Sequence, residues 1–263
     1  MEPIALPWNG RPRRYWLASP VSAGAPLVVM LHGTGGTALL AIEETGLAEF
    51  AGRAGFAVAF PEGLAVNPDS PSRFLSNPQR WNDGSTRAGH RLHTDHDDVG
   101  FLAAVIGDAT RRANADPDRV FLTGFSNGAS MAFRFAAERA DLIRAVAPIA
   151  GYNWTANPTP VRPIPTLFMI GDSDPLIPLH GGEVQLPWFP KPVVRPGIYP
   201  GLADWEKGLG SEKLQTMIIP GLGHHWPGGK GLLNPRIGGT PSDAVNANER
   251  VWEFFRGVAS IGK

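Results

Sequence analysis

The chain contains no cysteine, so disulfides, thiol catalysis and cysteine-ligated metals are excluded together. It also lacks net charge. Its 24 basic and 24 acidic side chains cancel, leaving no long-range field to gather nucleic acid, an anionic membrane or ionic substrates. No apolar run approaches the ~20 residues that span a bilayer, and no Gly-Lys-Ser/Thr occurs to build a phosphate loop. Met1-Glu2-Pro3 opens the chain without the basic region or apolar core of a signal peptide. The expectation is either a cytoplasmic protein or one whose signal peptide has been removed. No repeat, low-complexity tract or linker divides the 263 residues. One α/β domain over 1–263, burying roughly three quarters of its unfolded surface, suits that length.

Apolar runs rich in β-branched residues alternate with helical patterns, which predicts a mostly parallel sheet with helices on both faces. Strands are expected near Arg13 to Leu17, Leu27 to Leu31, Ala57 to Phe60, Val120 to Thr123, Ala145 to Ile149, Thr166 to Ile170 and Leu214 to Ile219. The clearest helices are Leu39 to Ala54, Val99 to Asn114, Ser126 to Ala140 and Ala244 to Val258. Pro61 to Thr94 and Gly181 to Pro200 are too long and too rich in Pro, Gly, Ser and Asn for plain connections, so they read as excursions at strand ends.

Gly124-Phe125-Ser126-Asn127-Gly128 lies between a β-prone run and an Ala- and Phe-rich helix. That is the strand-turn-helix setting of a nucleophile elbow in the α/β-hydrolase fold, where small neighbours let the turn lift the hydroxyl above the sheet. A serine needs a histidine to take its proton and a carboxylate to orient that histidine. In chain order the acid and then the histidine should follow, each after a later strand. Gly171-Asp172-Ser173-Asp174 follows one predicted strand, and Gly223-His224-His225-Trp226 follows another. The oxyanion formed during acyl transfer needs amide donors. The amide of Asn127, next after the serine, is one; the turn His32-Gly33-Thr34-Gly35-Gly36 offers a second, assigned here to Thr34. The glycines of that turn do not follow dinucleotide spacing.

Leu31-His32-Gly33, Trp81-Asn82-Asp83-Gly84, Asp97-Asp98-Val99-Gly100-Phe101, Gly124 to Gly128, Gly171 to Asp174 with Gly181-Gly182, and Gly223 to Gly229 together resemble the polyhydroxybutyrate depolymerase-type esterases, relatives of feruloyl and acetylxylan esterases. The likeness runs from about Arg13 to the histidine loop. It implies an α/β-hydrolase fold and a serine esterase that needs no cofactor and no metal. It further implies Ser126 as nucleophile, Asp174 rather than Asp172 as acid, and His224 rather than His225 as base. Many members have a cysteine before the Trp-Asn pair, where Arg80 stands here. The resemblance favours an extracellular or periplasmic setting, and Arg80 removes the usual disulfide.

Other residues invite a second reading. His90, His93, Asp95, His96, Asp97 and Asp98 have ligand chemistry for a divalent ion, but Asp95 or Asp97 also suits the cap of the helix starting near Val99. Trp16 and Trp252, within predicted elements, are expected in the core. Of the eight tryptophans, Trp81, Trp154, Trp188 and Trp226 fall in loops after strands, and Trp81, Trp154 and Trp226 are candidates to touch substrate. Arg11, Arg13 and Arg14 read as a solvated strand edge. The expected substrate is an uncharged small or polymeric ester: short hydroxyalkanoate, feruloyl or acetyl-sugar in type. A long-chain lipid is not expected, because Gly181 to Pro200 carries no broad apolar lid. A peptidase of the same fold and a non-catalytic binding protein are the alternatives. Nucleic acid and membrane are not expected partners.

Overall fold

The structure is a computed structural model that describes residues 1–19, 22–85, 95–209 and 214–260. Its main sheet has eight strands. They are β1 (Ile4–Ala5), β2 (Arg14–Ala18), β3 (Leu27–Leu31), β4 (Ala57–Pro61), β7 (Val120–Phe125), β8 (Ala145–Ile149), β9 (Thr166–Gly171) and β12 (Leu214–Ile219). The spatial order is β1-β2-β4-β3-β7-β8-β9-β12. β1 and β2 enter antiparallel, and every pairing from β4 through β12 is parallel. The seven expected strands are all present. The strands β3, β4 and β8 are buried along their whole length, as covering a parallel sheet on both faces requires.

Seven α-helices and two ribbons complete the described fold. The helices are α1 (Ala38–Thr45), α2 (Leu47–Ala54), α3 (Asp98–Ala113), α4 (Asn127–Arg139), α5 (Ile198–Leu209), α6 (Pro235–Gly238) and α7 (Ala247–Ser260). On one face α3 packs on α4, and Phe133 of α4 meets Trp205 of α5 edge to face at 5.0 Å. On the other, Phe255 of α7 stacks on Phe121 of β7 at 4.6 Å, and Trp252 stacks on Phe56 at 4.2 Å. The single helix expected over Leu39 to Ala54 is two. Gly46 takes φ 60°, a left-handed conformation open to glycine, and closes α1 by donating to the Ile42 carbonyl.

The excursions hold more order than their composition suggested. Within 61–94, β5 (Leu64–Ala65) and β6 (Gln79–Arg80) pair antiparallel. Within 181–200, β10 (Gly181–Val184) and β11 (Val193–Pro196) form a second ribbon, and α5 begins at Ile198. The Arg11 to Arg14 reading needs correction at one position. Arg13 is buried, ion-paired to buried Asp98 at 2.7 Å, and lies over the Phe101 ring. An isolated guanidinium could not be buried there without such a partner.

Candidate active site

At the end of β7 the chain turns sharply into α4, and Ser126 sits on the turn with φ 57° and ψ −121°. Such a conformation costs a non-glycine residue on the order of 1–3 kcal/mol and persists only where its surroundings enforce it. The Ser126 amide donates to the Ile149 carbonyl at 3.0 Å. The flanking glycines are steric necessities: a Cβ at Gly124 would strike the Gly128 backbone, and one at Gly128 would strike the carbonyls of Leu31 and His32.

Two later strand ends bring the partners. Asp174 follows β9 and is buried; its Oδ1 accepts from the amides of Leu176 and Ile177 at 2.8 and 2.9 Å. Its Oδ2 lies 2.7 Å from His224 Nδ1. With the proton on Nδ1, the other imidazole nitrogen, Nε2, faces the Ser126 hydroxyl at 2.9 Å. The loop after β12 is pinned by Gly223 donating to Thr240 and His224 donating to Gly238. Neighbouring His225 turns away, its Nε2 3.0 Å from the Gly239 carbonyl. Asp172 is exposed and accepts from the Gly221 amide at 2.7 Å, shaping the turn beneath the histidine loop.

The Thr34 and Asn127 amides donate to no acceptor among the described residues, and both residues border the cleft at Ser126. The turn carrying Thr34 is held by His32, whose Nδ1 donates to the Gly33 carbonyl at 2.8 Å while Nε2 accepts from the Gly63 amide at 2.9 Å. Nε2 can accept only on a neutral ring. Burial, which opposes the charged form, holds the His32 pKa below its usual 6.5. The expected result, by nitrogen chemical shift, is an imidazole with its proton on Nδ1 that stays neutral below the pH at which an exposed histidine takes up its second proton. Stability from this ring is fully present above pH 6.5 and is lost as pH falls below it, because the unfolded chain then binds a proton that the folded chain refuses. Titration of His32 near 6.5 would contradict the assignment.

Two spaces open beside Ser126. A cavity of about 280 Å³ extends past His224 and is walled by Met30, Leu40, Phe74, Leu233 and Ile237. A smaller recess of about 60 Å³ is lined by Tyr152, Trp154 and Arg195. Trp188 borders both, its indole N–H donating to the Phe74 carbonyl at 2.6 Å. The mouth of the larger cavity is apolar and exposed at Leu40, Phe74 and Leu232, with Leu39 and Leu75 beside them. These residues come from the start of α1 and from loops that polar composition had disguised.

The tryptophan assignments divide. Trp154 lines the recess, stacked on Tyr152 at 4.4 Å. Trp81 must be corrected, because it is completely buried and its indole N–H donates to the His32 carbonyl. Trp226 is likewise only 1 % exposed, bonded to Asn248, and backs the cavity wall instead of offering a free stacking face. Of the histidine-rich stretch, His90 and His93 lie outside the described residues. Asp97 caps α3 through the Gly100 amide at 2.8 Å, and Asp98 is committed to Arg13. Among the described residues no group of three His, Asp or Glu side chains is placed to hold a metal ion.

Sheet order, elbow, and the hydrogen-bonded chain from Ser126 to Asp174 define the α/β-hydrolase class. Solved structures agree in fold. An acetyl xylan esterase from Aspergillus awamori superposes with a TM-score of 0.58 at 16% identity, covering 94% of each chain. The esterase PE8 gives 0.57 at 20% identity, over 92% of this chain and 97% of its own. Residues 15–179 match the family model for esterase PHB depolymerase. NocK of Nocardia uniformis subsp. tsuyamanensis, named as a candidate esterase, is 31% identical over 94% of this chain and 80% of its own length. Feruloyl esterase B of Piromyces equi is 31% identical over 75% of this chain, which spans 35% of that enzyme. The chain therefore belongs to the esterase PHB depolymerase family, and with it to the carboxylic ester hydrolases.

Proposed function

We propose that the protein hydrolyses uncharged esters through an acyl-enzyme on Ser126, and that the acyl group lies in the apolar cavity. The observation that carries this reading is the continuous hydrogen-bonded path Ser126–His224–Asp174, with Ser126 and His224 on the wall of that cavity. Ser126 Oγ attacks the ester carbonyl as His224 Nε2 takes its proton. Asp174 holds the ring in the needed tautomer and stabilises the imidazolium. The negative oxygen of the tetrahedral intermediate is held by the Thr34 and Asn127 amides. As the carbon–oxygen bond to the alcohol breaks, the imidazolium returns its proton to the leaving alkoxide. Water, deprotonated by the same histidine, then attacks the acyl-enzyme and frees the acid and the serine. Base and oxyanion donors are all protein groups, so no metal or cofactor enters the scheme.

The apolar walls favour an aromatic or short aliphatic acyl group over acetyl. Two extra methylenes buried at about 0.8 kcal/mol each should favour butyryl over acetyl about tenfold. Turnover of p-nitrophenyl butyrate, acetate and a hydroxycinnamate ester, with fluorophosphonate labelling of Ser126, tests the proposal. Acetate as the best substrate would remove the acyl group from this cavity. Absence of both turnover and labelling would favour a binding protein, and efficient cleavage of peptide amides would favour a peptidase.

A further inference from the structure

Trp81 is fully buried behind the site, and its hydrogen bonds run to both halves of the proposed oxyanion hole. Its indole N–H donates to the His32 carbonyl at 2.9 Å, two residues before Thr34. Its backbone N–H donates to Asn127 Oδ1 at 2.7 Å, and its carbonyl accepts from Asn127 Nδ2 at 3.2 Å. Asn127 Nδ2 also donates to Asp83 Oδ2 at 2.7 Å. On the other side, the Gly35 amide donates to the Gln79 carbonyl at 2.7 Å. Segment 79–83 thus touches the turn of Thr34 and the elbow of Asn127 at once. It has its own anchor. The Asn82 amide donates to buried Asp98 at 2.7 Å, Arg13 pairs with the same carboxylate at 2.7 Å, and Arg134 donates to the Asn82 carbonyl at 2.8 Å.

Amide donors stabilise a transition-state oxyanion only if they are held where its charge develops, and they cost least when no rearrangement is needed. β3 and β7 are neighbours in the sheet, but the loops beyond their ends are not tied by ladder bonds. The side chain of Asn127, bonded to the Trp81 backbone and to Asp83, is the part of the elbow that segment 79–83 grips. We propose that Trp81 is a positioning residue for ester hydrolysis: it clamps the Thr34 turn to the Asn127 elbow and so fixes the spacing of the two oxyanion amides. This rests on the serine hydrolase reading above. Trp81 touches no substrate and acts through the two loops.

Trp81→Phe removes the indole donor and keeps most of the buried ring. With rates normalised to sites titrated by a fluorophosphonate, its kcat should fall about tenfold while KM stays within about twofold, less than the 10²–10³ lost with a whole oxyanion donor. The inhibition constant for phenylboronic acid, whose tetrahedral serine adduct places an oxygen in the hole, should rise by a similar factor. Asn127→Ala retains the backbone amide but releases the grip, and should reproduce the effect. The double variant should lose little more than the worse single variant, because both cut one connection. A merely structural tryptophan would lower the number of titrated sites and leave kcat per site and boronate affinity unchanged, overturning the proposal. Should Trp81→Phe fail to fold, unchanged kcat per site in Asn127→Ala would overturn it equally. A wild-type enzyme resistant to both fluorophosphonate and boronate would instead sink the serine reading, and the clamp with it.

Discussion

Ser126→Ala is expected to fold as the wild type does and to lose roughly a thousandfold or more of its ester turnover. The loss is large because the hydroxyl is the only atom on the elbow that can bond to the acyl carbon. The oxyanion amides survive the substitution, so a residual rate above water should remain. Folding should be spared because the elbow is shaped by Gly124, Gly128 and the hydrogen bond from the Ser126 amide to the Ile149 carbonyl, and the Ser126 hydroxyl bonds outward to His224. Thermal unfolding and kcat of the purified variant decide the matter. Retention of half the wild-type rate would exclude Ser126 as the nucleophile.

His224→Ala is expected to cost turnover on the same scale, whereas His225→Ala should act mainly on stability. Two adjacent histidines share one loop, yet only His224 Nε2 reaches Ser126, with Nδ1 on Asp174. His225 is 2 % exposed and bonded to the Gly239 carbonyl, so truncating it leaves a cavity and an unpaired carbonyl. Buried changes of that kind typically cost about 1–3 kcal/mol. The expected pattern is a stable but inactive His224→Ala beside a His225→Ala with lowered melting temperature and near-normal turnover per folded molecule. The reverse pattern would exchange their roles.

Much of this arrangement was legible because it is local. Gly124 to Gly128 encodes a turn whose steric demands are met within five residues, and the apolar runs at Leu27, Ala57, Val120 and Thr166 each announce a buried parallel strand. The loops that carry Asp174 and His224 could be placed by their order after later strands, and the family resemblance singled out those two residues from Asp172 and His225. The break at Gly46 was hidden in a pattern that reads helical on both sides of it. The α5 helix is not among the helices the pattern announces, because Pro196, Gly197 and Pro200 punctuate the sequence where it begins, although its buried Trp205 bonds to Thr166 in the sheet at 3.0 Å. Arg13 and Trp81 depart from expectation for one shared reason. Their partners Asp98, His32 and Asn127 lie 46 to 85 positions away, and spacing along the chain says nothing of such contacts.

By itself the sequence determined seven of the eight main-sheet strands, the elbow, the absence of thiol chemistry and the three residue types of the hydrolytic chain. Those features depend on short-range sterics, on hydrophobic periodicity and on composition. Tertiary structure alone brings His224 onto Ser126 and Asp174 onto His224, across 98 and 50 positions of the chain. It also decided that Trp81 and Trp226 are interior, and that Leu40, Phe74 and Leu232 gather at the mouth of one apolar cavity. Each of these is a distance between segments remote in sequence, set by how the sheet and its loops pack, and no local pattern along the chain carries that distance.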